Sequence, residues 1–263
     1  GDPSNLMVRG GELLSHPGLG RRGFAVGWGD SGLPVMAAAT WEATIRMNDG
    51  PSRALQSLNA RVGENEVTLH TEAAGFVYGP PGTQVVRVSC GAYRLGAVGT
   101  LRGRVVDVSE PVARRPVHPG EFLVAAHGKG RDALQGLKPG DRVEVSVRVT
   151  GFDWERVHHV MGGGPVLLRE GRLQLPEPPD SFSTTRHPRT ALGRDAAGAV
   201  WFIVVDGRQS MSVGASLAEL AAMARDWGCV DAINLDGGGS SAMHLMGLTL
   251  NRPSSGVERP VAN

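Results

Sequence analysis

Two acids in this chain each close an apolar run and are each followed by glycine: Asp206 in "FIVVDGR" and Asp236 in "INLDGGGSS". A carboxylate so placed stands where the backbone can turn sharply and a ligand can come close, because glycine adds no side chain. The bland reading makes both acids turn formers that bond their own backbone, as Asp before Gly commonly does. Set side by side at one sheet edge, they would instead form a carboxylate pair in a cleft, an arrangement that carries chemistry. After Asp236, Gly237, Gly238 and Gly239 present amides without side chains, and Ser240 and Ser241 add hydroxyls. Those serines do not form a nucleophile elbow, since "GGSSA" lacks the final glycine of Gly-x-Ser-x-Gly. Hydrogen bonding to loop amides or to substrate hydroxyls suits them better.

A second glycine triplet, Gly162 to Gly164 in "VMGGGPVLLREG", leads into a strand, and its amides suit an anion-binding nest. No Lys-Ser or Lys-Thr follows it and no helix opens after it, which excludes a nucleotide P-loop and a dinucleotide fingerprint. "TTRHPRTALG" gathers Arg186, His187 and Arg189 beside Thr190 in a loop that enters a strand. Such a group fits a phosphate or carboxylate, with a solvated basic loop as the alternative. The histidines, His158, His159 and His244 among them, show no metal-ligand spacing. No cofactor is expected. A divalent cation such as calcium, on Asp206, Asp236 and backbone oxygens, is the alternative those acids leave open.

The elements that position these residues are of two kinds. "LMVRGGELLSHP" and "FAVGWGDSGLPVMAA" read as hairpins, and "GDRVEVSVRVTG" as a strand with Val143, Val145, Val147 and Val149 on one face. Proline clusters at "EPVARRPVHPGE" and "LPEPPDSF" mark surface loops. Near the C-terminus the period changes. "SLAELAAMARDWG" carries a capping box at Ser216 and Glu219, an apolar stripe at Leu217, Leu220, Ala221, Ala224 and Trp227, and Gly228 as its stop. The β-branched run "AVWFIVVDGR" precedes this helix and "CVDAINLDGGG" follows it. If those strands are parallel, both acids lie at the same edge of the sheet, where open α/β sheets place ligands. The expected fold class is α+β, a β-rich mixed sheet with a C-terminal strand-helix-strand unit bearing the site.

Composition limits the rest. The 263 residues are 41% hydrophobic with a formal charge of +1, which allows a substantial core and supplies no global field toward nucleic acid or an anionic membrane. Lysine occurs only at Lys129 and Lys138, so the basic side chains are almost all arginine, the type suited to gripping carboxylate or phosphate, or a signature of a GC-rich genome. No apolar run is long enough for a membrane helix; no basic-then-apolar leader is read at Gly1, and as the chain reads as a processed or cut piece this says nothing about secretion. Cys90 and Cys229 exclude a dense disulfide framework; a buried free thiol at Cys229 is expected, with one bridge between the two as the alternative.

In order along the chain, "MGGGPVLLREG", "HPRTALG", "VVDGRQSMSVGASLAELA", "INLDGGGSSAMH" and "NRPSSGVERPVAN" closely resemble the phosphodiester glycosidase family, of the uncovering-enzyme type. The resemblance covers most of the chain, densely from Met161 to Asn263, and takes in 1–263 as a single domain of that family. It implies hydrolysis of a sugar-1-phosphodiester, a carbohydrate or sugar-phosphate substrate, and an extracellular or cell-envelope setting in bacteria. Family members carry an Asn-Gly-Gly-aromatic segment before the stretch that matches "GDPSNLMVRGGELLS"; this chain starts after it, which makes the remainder of a cleaved chain a candidate partner. Under the resemblance, Asp236 supports an oxocarbenium-like ring or activates water and Asp206 positions the water or a hydroxyl. Arg189 and Arg208 hold the phosphate, and the amides of Gly237 to Gly239 complete an oxyanion cradle. Thr190, Gly163, Gly164, Asn234, Ser240, Ser241, Glu258 and Arg259 complete the expected binding residues. Two other readings stand beside this one: a glycoside hydrolase on an uncharged surface polysaccharide, and a non-catalytic glycan-binding module.

Overall fold

The structure is a computed structural model, and it describes residues 5–18, 23–109 and 114–260. Part of the proline cluster, 110–113, and the last three residues of the final motif lie outside the described residues. The chain is strand-rich with few helices, and it divides into two compact units. No helix among the described residues is long and apolar enough to cross a membrane.

The first unit comprises Thr40–His158 with the N-terminal stretch up to His16. Its main sheet places Trp41–Met47, Arg142–Val149, Val98–Ser109, Gln84–Ser89, Glu121–Ala126 and Val67–His70 side by side in antiparallel pairs, with one parallel pairing at Ser57–Leu58 that makes it mixed. In Arg142–Val149 the four valines are buried while the residues between them are exposed or half-exposed, as strict alternation requires. Met7–Arg9 and Glu12–Ser15 pair as a hairpin around Gly10 and Gly11, both at positive φ.

The second unit comprises Pro17–Ala39 and 159–263. It contains the hairpin β1 (Phe24–Gly29) and β2 (Val35–Ala38), and β3 (Val157–Gly163), which enters from the first unit. Its main sheet is built from β4 (Val166–Arg169), β5 (Arg172–Leu173), β6 (Arg189–Asp195), β7 (Val200–Val205) and β8 (Cys229–Asn234), in the order β5-β4-β8-β6-β7. Strand β6 pairs antiparallel with both β7 and β8, so these two run in the same direction with β6 between them. The short helix α1 (Ser181–Thr184) and the helix α2 (Leu217–Asp226) complete the unit.

Helix α2 starts where the capping box sits: Ser216 accepts from the Glu219 amide and Glu219 from the Ser216 amide. Leu217, Leu220, Ala221 and Ala224 are buried against Leu168, Ala191, Ile203 and Ala232. Trp227 departs from the expected stripe. The helix ends at Asp226, so Trp227 lies at its C-cap, half-exposed and stacked on Trp201 with ring centroids 6.2 Å apart. Both cysteines are free; Cys229 is buried, with its Sγ 2.5 Å from where a Cβ on Gly193 would stand.

The Arg186 guanidinium bonded to Glu219, followed by the Ser216 amide, holds the Glu219 carboxyl down at about 2. A depressed acid stabilises the fold fully above its unfolded value of about 4.3 and loses that contribution as pH falls toward the folded value. Glu219→Gln is therefore expected to flatten the thermal midpoint against pH between about 4.5 and 2. Parallel acid limbs for the two proteins would contradict this coupling.

Candidate functional site

Pro188, the residue before β6, is where the two acid corners meet. A Cβ on Gly207 would lie 2.7 Å from the Pro188 nitrogen, and a Cβ on Gly237 would lie 2.8 Å from the Pro188 carbonyl oxygen. The Gly238 amide donates to that same oxygen at 2.9 Å. Glycine follows each aspartate because the proline backbone occupies the space a side chain would need. Gly238 adds a second requirement, its φ of +62°. Packing against Pro188 by itself requires glycine at 207 and 237, a reason the expected role as space for a ligand did not include.

The two acids face different surroundings. Asp236 is exposed; Oδ1 accepts from the Gly237 amide at 2.9 Å, and its other oxygen accepts nothing from the described residues. Asp206 is half-buried, with Oδ1 accepting from Asn251 Nδ2 at 2.9 Å and from the Arg252 amide at 3.0 Å, which also reaches Oδ2 at 3.1 Å. It anchors the segment after the hairpin His244–Leu245/Leu248–Thr249. Its carboxylate is engaged where that of Asp236 is open.

The arginines divide in the same way. Arg189, expected to hold phosphate, is one of the largest fully buried side chains in the protein. Its Nε donates to Ala215 O at 2.9 Å, and its Nη2 donates to Phe182 O at 2.7 Å and Thr185 O at 2.9 Å, with the guanidinium 4.8 Å from the Phe182 ring. As the first residue of β6 it points into the unit, so the basic loop ends at Pro188. Arg208 is exposed and held at φ 58°, a left-handed conformation that costs a non-glycine residue about 1 kcal/mol or more. Its Nη1 and Nη2 lie 3.3 Å from the Cβ position of Gly238, and Nη2 is 3.3 Å from His187 Nδ1. Burial, then the charges of Arg189 and Arg208, push the His187 pKa down, which keeps its ring neutral and able to accept from Arg208.

Arg259 approaches the next residue of the same turn. Its guanidinium lies 3.4 Å from the Cβ position of Gly239 and donates from Nε and Nη2 to Ser240 Oγ at 3.2 and 2.7 Å. Glu258 is bonded to Thr249 Oγ1 and lies 2.6 Å from His244 Nε2. Neither Arg208 nor Arg259 pairs with a carboxylate among the described residues. Two guanidinium groups that pair with no carboxylate among the described residues thus lie against the turn that follows the open carboxylate of Asp236.

Several expected ligands are internal instead. The Gly237 and Gly238 amides are engaged by Asp236 Oδ1 and Pro188 O, which corrects the three-amide cradle. The Gly164 amide donates to Asn234 O at 2.6 Å, and a Cβ on Gly163 would meet that oxygen at 2.8 Å, so this triplet packs on the end of β8 in place of forming an open nest. Asn234 is buried, with Nδ2 donating to Gly164 O and Leu235 O. Ser241 is buried and accepts from Thr190 Oγ1 at 3.3 Å. Sequence reasoning missed Asn251, Arg252 and the part played by His187 and Pro188. All lie in quoted motifs, but their partners stand up to 50 positions away, as from Pro188 to Gly238. Among the described residues no cluster of His, Cys, Asp and Glu could hold a metal ion.

The phosphodiester glycosidase family model matches residues 95–263, a span that contains every candidate site residue. Mouse N-acetylglucosamine-1-phosphodiester alpha-N-acetylglucosaminidase is 40% identical over 193 residues, covering 60% of this chain and 37% of the mouse protein. A prophage-derived uncharacterized protein of Bacillus subtilis is 38% identical over 78 residues, 30% of this chain and 12% of that protein. The chain spans well under half the length of these curated relatives. Crystal structures of a hypothetical protein from Synechocystis and a putative exported protein from Burkholderia pseudomallei share the fold, each at TM-score 0.78. Their identities are 25% and 20%, and the match covers 96% of this chain and 46% and 58% of theirs. The chain belongs to the phosphodiester glycosidase family.

Proposed function

We propose that the site hydrolyses the glycosidic bond of a sugar-1-phosphodiester. The bond between the anomeric carbon and the phosphate oxygen breaks with its electron pair going to that oxygen. Water supplies a hydroxyl to the anomeric carbon and a proton to the departing phosphate monoester. Phosphate leaves well without strong protonation, so the work lies in supporting positive charge on the ring and negative charge on the phosphate.

The observation that carries this reading is the pair of guanidinium groups, Arg208 and Arg259, on the turn that follows the open Asp236 carboxylate. In the proposal Arg208 and Arg259 hold the phosphate, with Arg189 behind them as a strut. Asp236 supports the ring or takes the proton from water. Asp206 acts through the segment it anchors. The proposal treats 1–263 as one catalytic domain. An extracytoplasmic setting belongs to it through the family resemblance, and the Burkholderia neighbour is described as a putative exported protein.

Charge-assisted bonds from arginine are worth about 1.5–3 kcal/mol each, so Arg208→Gln and Arg259→Gln should each lower kcat/KM on a sugar-1-phosphodiester by about 10- to 100-fold. Matched neutral glycosides distinguish the other readings. Hydrolysis of neutral glycosides that is indifferent to both substitutions would favour an ordinary glycoside hydrolase. Saturable glycan binding with no hydrolysis of either set would favour a binding module.

A further inference from the structure

Beside the turn lies an open groove of about 780 Å³, lined in part by Gln209, Asn251, Arg252, Val257 and Glu258. Two of its lining residues are chain neighbours of the arginines at the turn: Gln209 follows Arg208 and Glu258 precedes Arg259. That volume is in the upper part of the range for ligand sites and exceeds what one sugar ring needs. The groove therefore has room for more of a substrate than the sugar and phosphate at the turn.

Arg252 and Glu258 are the charged residues that line it, and the donors of the Arg252 side chain are taken up by no carboxylate among the described residues. The backbone of this residue is fixed at both ends: its amide donates to both oxygens of Asp206 and its carbonyl accepts from Gln209 Nε2 at 2.6 Å. The side chain is exposed, and no carboxylate pairs with it among the described residues. The nearby acids are already engaged, Glu258 by Thr249 and His244 and Asp206 by Asn251 and the Arg252 amide. A cation whose backbone is held in place, standing on the wall of a roomy groove with its acidic neighbours occupied, is arranged to receive an anion.

We infer that this groove is a second anion subsite, which takes a phosphate or carboxylate borne by the alcohol half of the diester. The inference rests on the phosphodiester reading above and narrows it: the substrate class is a polyanionic glycan, cut at a phosphodiester that has a second charged group on its leaving side. Arg252 sets this preference and takes no part in breaking the bond.

The test compares two synthetic sugar-1-phosphodiesters that differ only in whether the alcohol half carries a second phosphate. The native protein should favour the doubly charged substrate by about tenfold in kcat/KM, chiefly through KM. Arg252→Gln should bring the ratio of the two substrates close to one, and the preference of the native protein should shrink as salt is raised. Equal use of both substrates by the native protein, or a preference that survives Arg252→Gln, overturns the inference while leaving the diester reading intact. If neither substrate is cleaved, the diester reading falls, and titration with the bis-phosphorylated alcohol decides the subsite. Binding that Arg252→Gln weakens about tenfold sustains it; no binding, or binding indifferent to the substitution, overturns it.

Discussion

Asp236→Asn is expected to reduce turnover of a sugar-1-phosphodiester by about 10²- to 10⁴-fold while leaving the thermal midpoint almost where it was. The carboxylate is exposed and its one internal bond comes from the Gly237 amide to Oδ1. Asparagine keeps that acceptor, so the turn has no reason to move. What it removes is the negative charge and the ability to take a proton, the two properties the proposed step uses. Release of free sugar by the purified variant, beside its melting curve, gives both readouts. Turnover within about threefold of the parent would remove Asp236 from the reaction, since a general base contributes far more than that.

Arg189→Met is expected to have the opposite signature, a loss of about 3–4 kcal/mol in stability with the chemistry of surviving folded molecules largely retained. Methionine fills much of the volume but donates nothing to the carbonyls of Ala215, Phe182 and Thr185. An unsatisfied buried acceptor costs about 1–3 kcal/mol, and Ala215 O keeps a partial partner in the His187 amide at 3.2 Å, which moderates the sum. Denaturant unfolding measures this directly. A variant of unchanged stability and much reduced activity would restore Arg189 to the phosphate and contradict the reading of its burial.

Local pattern was legible wherever one element decided the outcome. The alternation in Arg142–Val149, the two hairpins with their glycine turns and the capping box of α2 all follow from residues within a few positions of one another. Trp227 was misread because the helix ends at Asp226, so the periodicity that runs through Ala224 stops one residue short of it. Within the site, Asp236 and its glycine turn were legible as a unit. The division between Arg189 and Arg208 was not, because both stand beside a strand end and only packing decides which one turns inward.

The amino-acid sequence by itself determined the two hairpins, the alternating strand Arg142–Val149, the capped helix α2, the placing of an acid after each of two strands, and the family. Those properties are short in range or are carried by ordered motifs. Only the tertiary structure decided which of these groups are engaged inside the fold and which stay open. Pro188 takes up the space beside Gly207 and Gly237, three carbonyls capture Arg189, and Asn251 with Arg252 occupies Asp206. Hydrogen-bond donors and close contacts from distant parts of the chain settled each of these. Asp236, Arg208 and Arg259 keep only neutral partners, the Gly237 amide, His187 and Ser240, and no oppositely charged side chain among the described residues pairs with them.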